Sequence, residues 1–195
     1  LLLVGVDYHQ AALKVTRAKL IKADIWAKVI WGDIGQPDLL AEDLRENYNI
    51  DLKDLLNVRT FLDHNRIWEM PKQISKERIS SSTGAFAHRG ARINNNLVED
   101  NLLEHLKKWS PYVHKFGLLI IELHTITPHL TALNLGKTAA TAYNATHGFS
   151  DQYIVEIDVL HKIAAEAGLF PEPNYYKKFP DSEIATVSIN LLKGV

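Results

Sequence analysis

The stretch THGFSDQY places His147 and Gln152 at the start of an apolar helical pattern. Ser150 or Asp151 is a good N-cap for that helix, but a cap explains neither His147 nor Gln152. Imidazole, carboxylate and amide oxygen together suit a divalent ion such as Mn or Fe(II) with open coordination positions. Asp63, from an earlier strand end, would complete such a set with one anionic oxygen.

Two further stretches, RTFLDHNR and IELHTI, end predicted strands with titratable side chains. An acid and a histidine in sequence, Asp63 and His64, suit metal ligation or acid–base work. The alternative is a turn in which Asp63 pairs with Arg66. Glu122 and His124 lie on one side of a strand because its side chains alternate with a period of two. For His124 the alternative is a structural role, hydrogen-bonded in the core.

Acids also end two earlier predicted strands, in GVDYHQAAL and WGDIGQPD. At the end of a strand, Asp7 can accept hydrogen bonds from the vicinal hydroxyls of a ribose, as in dinucleotide-binding folds. The alternative is that Asp7 caps the following helix. One strand along, Asp33 can accept from an adenine amino group while Ile34 packs on the ring.

The composition excludes several classes of protein. Lys plus Arg is 22 and Asp plus Glu is 23, so no broad basic field exists to attract nucleic acid or an anionic membrane. The absence of cysteine excludes disulfides, thiolate zinc sites and a cysteine nucleophile. No apolar run reaches membrane-spanning length, and LLLVGV is too short for a signal-peptide core. We therefore expect a soluble, cytoplasmic protein with a single domain over residues 1–195.

The hydrophobic pattern alternates strands with helices. Strands are predicted at 1–7, 27–33, 54–61 and 117–126, helices at 9–23, 37–48, 94–113 and 151–170, and a closing strand pair at 174–191. This order indicates an α/β fold, with a mostly parallel sheet covered by helices on both faces and a C-terminal antiparallel strand pair. Ligands of such folds bind beyond the carboxyl ends of the strands, where the acids and histidines lie.

Two long connections, 65–93 and 127–150, open onto the same edge of the predicted sheet and are rich in Gly, Ser, Thr and Asn. Long connections in compact domains are usually lids, binding loops or disordered segments. In the first, Arg89 and Arg92 of HRGAR can bind a phosphate or carboxylate, or they lie in a solvated loop.

These motifs, together with WSPYVHKFGLLIIELHTI, resemble the metal-dependent class I S-adenosylmethionine C-methyltransferase domains of bacterial polyketide synthases, of the apratoxin loading-module type. The likeness extends over nearly the whole chain, and it implies a Rossmann-like class I methyltransferase sheet. The residues that it implies are Asp7, Tyr8, Asp33 and Ile34 for the cofactor and Asp63, His147 and Gln152 for the metal.

The resemblance also implies a reaction and partners. That family methylates an activated methylene carbon of an acyl group on an acyl carrier protein, beside other polyketide synthase domains. A malonyl or 3-oxoacyl thioester can chelate a metal ion through two oxygens, so that the ion stabilises the enolate which attacks the methyl group. A neutral His124 or His64 would then remove the α-proton as general base.

The chain departs from the family pattern at its N-terminus. It begins at what should be the second strand, without the first strand and the glycine-rich turn that holds the methionine part of the cofactor. Two classes of function therefore stay open. One is an active methyltransferase whose N-terminal part is supplied elsewhere, and the other is a non-catalytic scaffold or docking module of a polyketide synthase.

Overall fold

The computed structural model describes residues 1–194, with every side chain except those of residues 146–150. The chain divides into two compact units, Leu1–Leu52 and Lys53–Val195. Both units contain strands and helices in alternation, which confirms the predicted α/β class. Among the described residues, no helix is both long enough and apolar enough to cross a lipid bilayer.

The first unit follows the predicted pattern closely. Its elements are β1 (Val4–Asp7), α1 (Gln10–Lys22), β2 (Lys28–Trp31) and α2 (Pro37–Tyr48). β1 and β2 pair in parallel, and α1 supplies the crossover that a parallel pair requires. α2 begins at Pro37, whose fixed φ suits a first turn, and ends at Asn49 in the left-handed region.

The second unit is built around a five-stranded sheet. Its elements are β3 (Asn57–Thr60), β4 (Ala87–His88), β5 (Ala91–Arg92), α3 (Asn95–Val113), β6 (Leu118–Leu123), α4 (Pro128–Leu133), α5 (Ala140–Ser150), α6 (Ile157–Glu166), β7 (Leu169–Pro171), β8 (Lys177–Phe179) and β9 (Val187–Gly194). The strand order is β3-β6-β9-β7, with β8 also paired to β9, and β4 and β5 form a separate hairpin.

This sheet is mixed, so the prediction of a mostly parallel sheet is wrong for the second unit. β3 and β6 pair in parallel, whereas β9 is antiparallel to β6, β7 and β8. β9 follows β8 after a short connection, which can only return the chain antiparallel, and it then inserts beside β6. The predicted closing antiparallel pair is confirmed by β8 and β9.

The predicted helix 151–170 and its N-cap are wrong at the N-terminal end. Residues up to Ser150 belong to α5, Asp151 follows that helix with a φ of 50°, and α6 begins only at Ile157. Asp tolerates this left-handed conformation better than most residues, so it ends the helix instead of starting one. The connection 127–150 contains both α4 and α5 and is therefore not the loop that we expected.

The other long connection has neither helix nor strand between residues 66 and 86, and it lies along the polar side of α3. Helix side chains bind its backbone or side chains, namely Asn95, Asn96, Glu99, Asp100, Asn101 and Glu104. Arg78 of the segment forms ion pairs with Glu99 and Asp100 of α3 and with Glu166 of α6. These contacts give polar backbone groups partners, as burial requires.

Candidate functional site

Asp7 ends β1 and is half-buried at the carboxyl end of the parallel pair. Its Oδ1 accepts a hydrogen bond from the backbone N–H of His9 at 2.7 Å, just before α1. Among the described residues its side chain makes no further hydrogen bond, so Oδ2 is left for a ribose hydroxyl. The two roles considered for Asp7, helix start and ribose contact, are therefore compatible.

Asp33 lies beyond the end of β2, the strand beside β1. Its Oδ1 accepts from the backbone N–H of Gly35 at 2.7 Å, and its Oδ2 accepts from the Gln36 amide at 3.2 Å. Asp33 therefore stabilises the turn into α2, and an adenine amino group would compete with the longer of the two bonds. Ile34 occupies the same turn.

The aromatic ring of Tyr8 packs against Trp31 across the ends of the two strands, with ring centroids 5.7 Å apart. The Trp31 indole N–H donates to the carbonyl of Tyr8 at 2.9 Å, which fixes the pair. An exposed aromatic surface of this kind, beside Asp7, suits contact with a nucleoside.

A cavity of about 420 Å³ adjoins this end of the first unit, and its volume is that of a small-ligand pocket. Its lining residues are Arg17, Val29, Ile30, Trp31, Gly32, Asp33, Gln36, Leu39, Leu40, Asp43 and Tyr48. The cavity therefore includes Asp33 but not Asp7.

Replacing Asp7 with alanine should weaken S-adenosylmethionine binding by about tenfold or more, because a hydrogen bond to a charged group is worth roughly 1.5–3 kcal/mol. Isothermal titration calorimetry measures the change, and Glu46→Ala, which removes an exposed acid of α2, is the matched control. Equal affinities for wild type and the Asp7 variant would remove Asp7 from the cofactor site.

In the second unit, His64 and Glu122 form a buried pair at the carboxyl ends of the parallel strands β3 and β6. The ring Nδ1 of His64 lies 2.5 Å from Glu122 Oε1, and the backbone N–H of His64 donates to Oε2 at 3.1 Å. Glu122 Oε1 also accepts from the backbone N–H of Leu123. A carboxylate can only accept, so Nδ1–H donates, and in the neutral imidazole the lone pair is on Nε2.

His124 has both ring nitrogens engaged in the core. Nδ1 donates to the carbonyl of Val155 at 3.0 Å, and Nε2 lies 2.7 Å from the hydroxyl of Ser188. Burial lowers the pKa of His124 to about 4. These contacts match the structural alternative that the sequence left open for His124. Of the two candidate bases, His64 is the one with a ring nitrogen, Nε2, that makes no hydrogen bond among the described residues.

The pKa of His124 has a consequence for stability. The unfolded chain binds a proton at the ordinary pKa of 6.5 and the folded protein only near 4, so the free energy of unfolding should fall as pH decreases between these values. The shift is worth roughly 3 kcal/mol. Burial also lowers the pKa of His105, which adds to the same slope.

Urea unfolding of wild type and His124→Asn between pH 4 and 7 measures this dependence, since asparagine can still donate to Val155 but does not titrate. We expect a shallower slope in the variant. Identical slopes would contradict the assignment to His124.

Asp63 points away from His64, toward α3. Its Oδ1 accepts from Arg59 Nη1 at 2.5 Å and from His105 Nε2 at 3.0 Å, and all three residues are buried. Burial alone would raise the pKa of the Asp63 carboxyl, but the charge of Arg59 and the hydrogen bond from His105 hold it well below its ordinary value. The carboxylate pairs with Arg59 rather than with Arg66, which instead binds the carbonyl of Asp63.

The predicted metal ligands fit an ion poorly. Asp63 is paired with a buried guanidinium, which disfavours a second cation beside it, and Gln152 donates its amide to Asn65 at 3.1 Å. The side chain of His147 lies outside the described residues. Within the described part of the chain, no group of three His, Cys, Asp or Glu residues is placed to hold a metal ion.

The structure nevertheless brings the two sequence stretches together. The backbone N–H of Tyr153 donates to the carbonyl of His64 at 2.8 Å, beside the contact of Gln152 with Asn65. The β4–β5 hairpin joins them, because the backbone N–H of Arg89 donates to Asp151 and His88 Nδ1 lies 3.3 Å from the same carboxylate. The side chains of Arg89 and Arg92 are exposed.

Sequence reasoning did not identify Arg59, His105 or Ser188 as partners in this region. The one signal was their position, since Arg59 occupies the middle of a short strand and His105 interrupts the apolar side of α3. A buried charge in such a place requires a partner, and that partner is Asp63.

Comparison with known proteins places the chain in context. The model of the AprA MT2-like domain family matches residues 1–190. Two solved structures of LepI, one of a variant in complex with SAH and a substrate analogue and one in complex with SAM, align with TM-scores of 0.53 at 11% and 9% identity. Each alignment covers 99% of this chain and 36% of LepI.

The mitomycin 7-O-methyltransferase MmcR aligns over 98% of this chain and 41% of its own, with 9% identity and a TM-score of 0.49. None of the curated proteins compared with the chain matches it. The likeness to LepI concerns the fold, and the chain spans about 36% of the length of that protein.

Proposed function

Since the chain belongs to the AprA MT2-like domain family, we propose that it transfers the methyl group of S-adenosylmethionine to the α-carbon of a malonyl or 3-oxoacyl thioester. The observation that supports the proposal is the buried pair of His64 and Glu122. It lies at the carboxyl ends of two parallel strands, where ligands of α/β folds bind.

His64 is the general base of this proposal. Glu122 binds Nδ1–H, so Nε2 would be the acceptor for the α-proton, and the carboxylate would stabilise the imidazolium that forms. The electron pair of the C–H bond then forms the new C–C bond to the methyl group. The S–CH₃ bond breaks onto sulfur, which yields S-adenosylhomocysteine.

The cofactor would bind through the first unit. Asp7 Oδ2 would accept from the ribose, and Tyr8 and Trp31 present aromatic surface next to it. Asp33 and Ile34 would contact the adenine from the neighbouring strand end. The likeness of the fold to that of LepI, which was solved with SAM, supports this cofactor class.

The family resemblance implies a divalent ion such as Mn or Fe(II), bound by Asp63, His147 and Gln152. This ion has no part in the proposed steps. Asp63 and Gln152 are engaged with Arg59 and Asn65. The proposed proton transfer uses His64 and Glu122.

The acyl group would be presented on an acyl carrier protein, and the chain would work beside other polyketide synthase domains. The α-carbon of such a thioester is acidified by one or two carbonyl groups. The exposed Arg89 and Arg92 of the β4–β5 hairpin are available to an acidic partner.

The direct test incubates the protein with methyl-labelled S-adenosylmethionine and malonyl- or 3-oxoacyl-carrier protein, with free carrier protein as control. We expect one labelled methyl group on the acyl chain by intact mass spectrometry, at carbon by NMR of the released acid. Methylation at oxygen would replace the C-methyltransferase assignment. Binding of carrier protein without transfer would favour the scaffold function instead.

A further inference from the structure

We infer that Asp63 is a positioning residue, which together with Arg59 and His105 fixes the turn that aims His64 at its substrate. The inference rests on the proposed function, in which His64 is the base. It gives Asp63 a role different from metal ligation, and three features of the turn support it.

The first feature is the way in which Asp63 is held. One carboxylate oxygen binds both Arg59 of β3 and His105 of α3, so the side chain connects the turn to two rigid elements. Arg59 is itself fixed, because its guanidinium lies over the ring of Trp109, 4.0 Å from the centroid. All of these side chains are buried, so water competes little for the bonds.

The second feature is that Asp63 and His64 are consecutive residues of one 3₁₀ turn, Asp63–Asn65. The two side chains have different partners, since Asp63 binds Arg59 and His105 whereas His64 binds Glu122. The peptide group between them ends in the His64 N–H, which donates to Glu122 Oε2. A shift of Asp63 would rotate this peptide group. The same rotation would move the His64 ring relative to the other oxygen of Glu122.

The third feature is strain at the start of the turn. Phe61 has a φ of 57°, a conformation that bulky residues rarely adopt and that costs of order 1–3 kcal/mol. Such a conformation persists only where the surroundings impose it. Here the backbone N–H of Phe61 donates to the carbonyl of Ile121, which holds the segment before the turn. The contacts of Asp63 hold the turn itself.

The test compares Asp63→Asn with Asp100→Asn. Both variants remove a buried carboxylate paired with an arginine, but Asp100 binds Arg78 and belongs to the contact of α3 with the 66–86 segment. The main readout is the NMR signal of the His64 Nδ1 proton, which is hydrogen-bonded to Glu122 and is assigned by its loss in His64→Gln. The second readout is kcat for methyl transfer.

We expect Asp63→Asn to broaden or shift the His64 signal and to lower kcat by about 10²-fold, as displacement of a catalytic group by about 1 Å does. The Kd for S-adenosylmethionine should not change, and Asp100→Asn should leave the His64 signal and kcat as in wild type. An unchanged His64 signal in folded Asp63→Asn would overturn the inference.

A milder pair of variants covers the case in which Asp63→Asn does not fold. His105→Leu removes one bond to Asp63 without leaving a charge unpaired, whereas His105→Gln keeps an amide donor. We expect the His64 signal to be shifted in His105→Leu and to match that of wild type in His105→Gln. The same His64 signal in both variants would overturn the inference. If wild type shows no methyl transfer, the proposed function fails, while the NMR signal still decides the role of Asp63.

Discussion

Replacing His64 with glutamine is expected to lower kcat for methyl transfer by about 10²- to 10⁴-fold, the usual contribution of a general base. Glutamine preserves much of the shape and can still donate to Glu122, but it has no nitrogen that accepts a proton at neutral pH. The Kd for S-adenosylmethionine should change little, because the cofactor residues lie in the first unit. Single-turnover assays with labelled cofactor measure the chemical step.

Glu122→Gln is the companion variant. Its amide cannot stabilise an imidazolium as a carboxylate does, so kcat should fall in this variant as well, and the double variant should lose little more than His64→Gln alone, because the two side chains act as a unit. Conversely, a normal kcat in His64→Gln would show that another residue is the general base. His124→Asn is the negative control, since both ring nitrogens of His124 are engaged in the core.

Much of the fold could be predicted because local signals decided it. Pro37 fixed the start of α2, and the Asn94 side chain caps α3 by accepting from the Asn96 backbone N–H. The helix α5 was missed because its sequence, ATAYNATHGFS, mixes helix formers with Thr, Asn and Gly. Position in the sheet is a long-range property, so the insertion of β9 beside β6 had no local signal.

The candidate site, like the fold, could be predicted from the sequence only in part. Glu122 is the fifth residue of β6 and His124 is the first residue after it, and both side chains are buried. Their partners, however, are 58 and 64 residues away in the chain, at His64 and Ser188. Sequence spacing indicated which residues can do chemistry. The structure was needed to show that Asp63 faces Arg59 and that His64 faces Glu122.

The buried pair of Arg59 and Asp63 is expected to have the largest effect on stability. Replacing Arg59 with methionine should lower the free energy of unfolding by about 3–5 kcal/mol, because it leaves the Asp63 carboxylate buried with only the His105 hydrogen bond. Asp63→Asn alone should cost a comparable amount, since it leaves the guanidinium without its counter-charge. Urea unfolding near pH 7 measures both.

The double variant, Arg59→Met with Asp63→Asn, should recover much of that loss. Two charges taken out of water are costly. Among the described residues, Arg59 Nη2 and Asp63 Oδ2 are buried without a hydrogen-bond partner, so their desolvation is only partly offset. Removing both charges removes both penalties, and methionine can still pack on Trp109 in place of the guanidinium. A double variant whose loss equals the sum of the two single losses would show that the residues act independently, and would contradict a coupled buried pair.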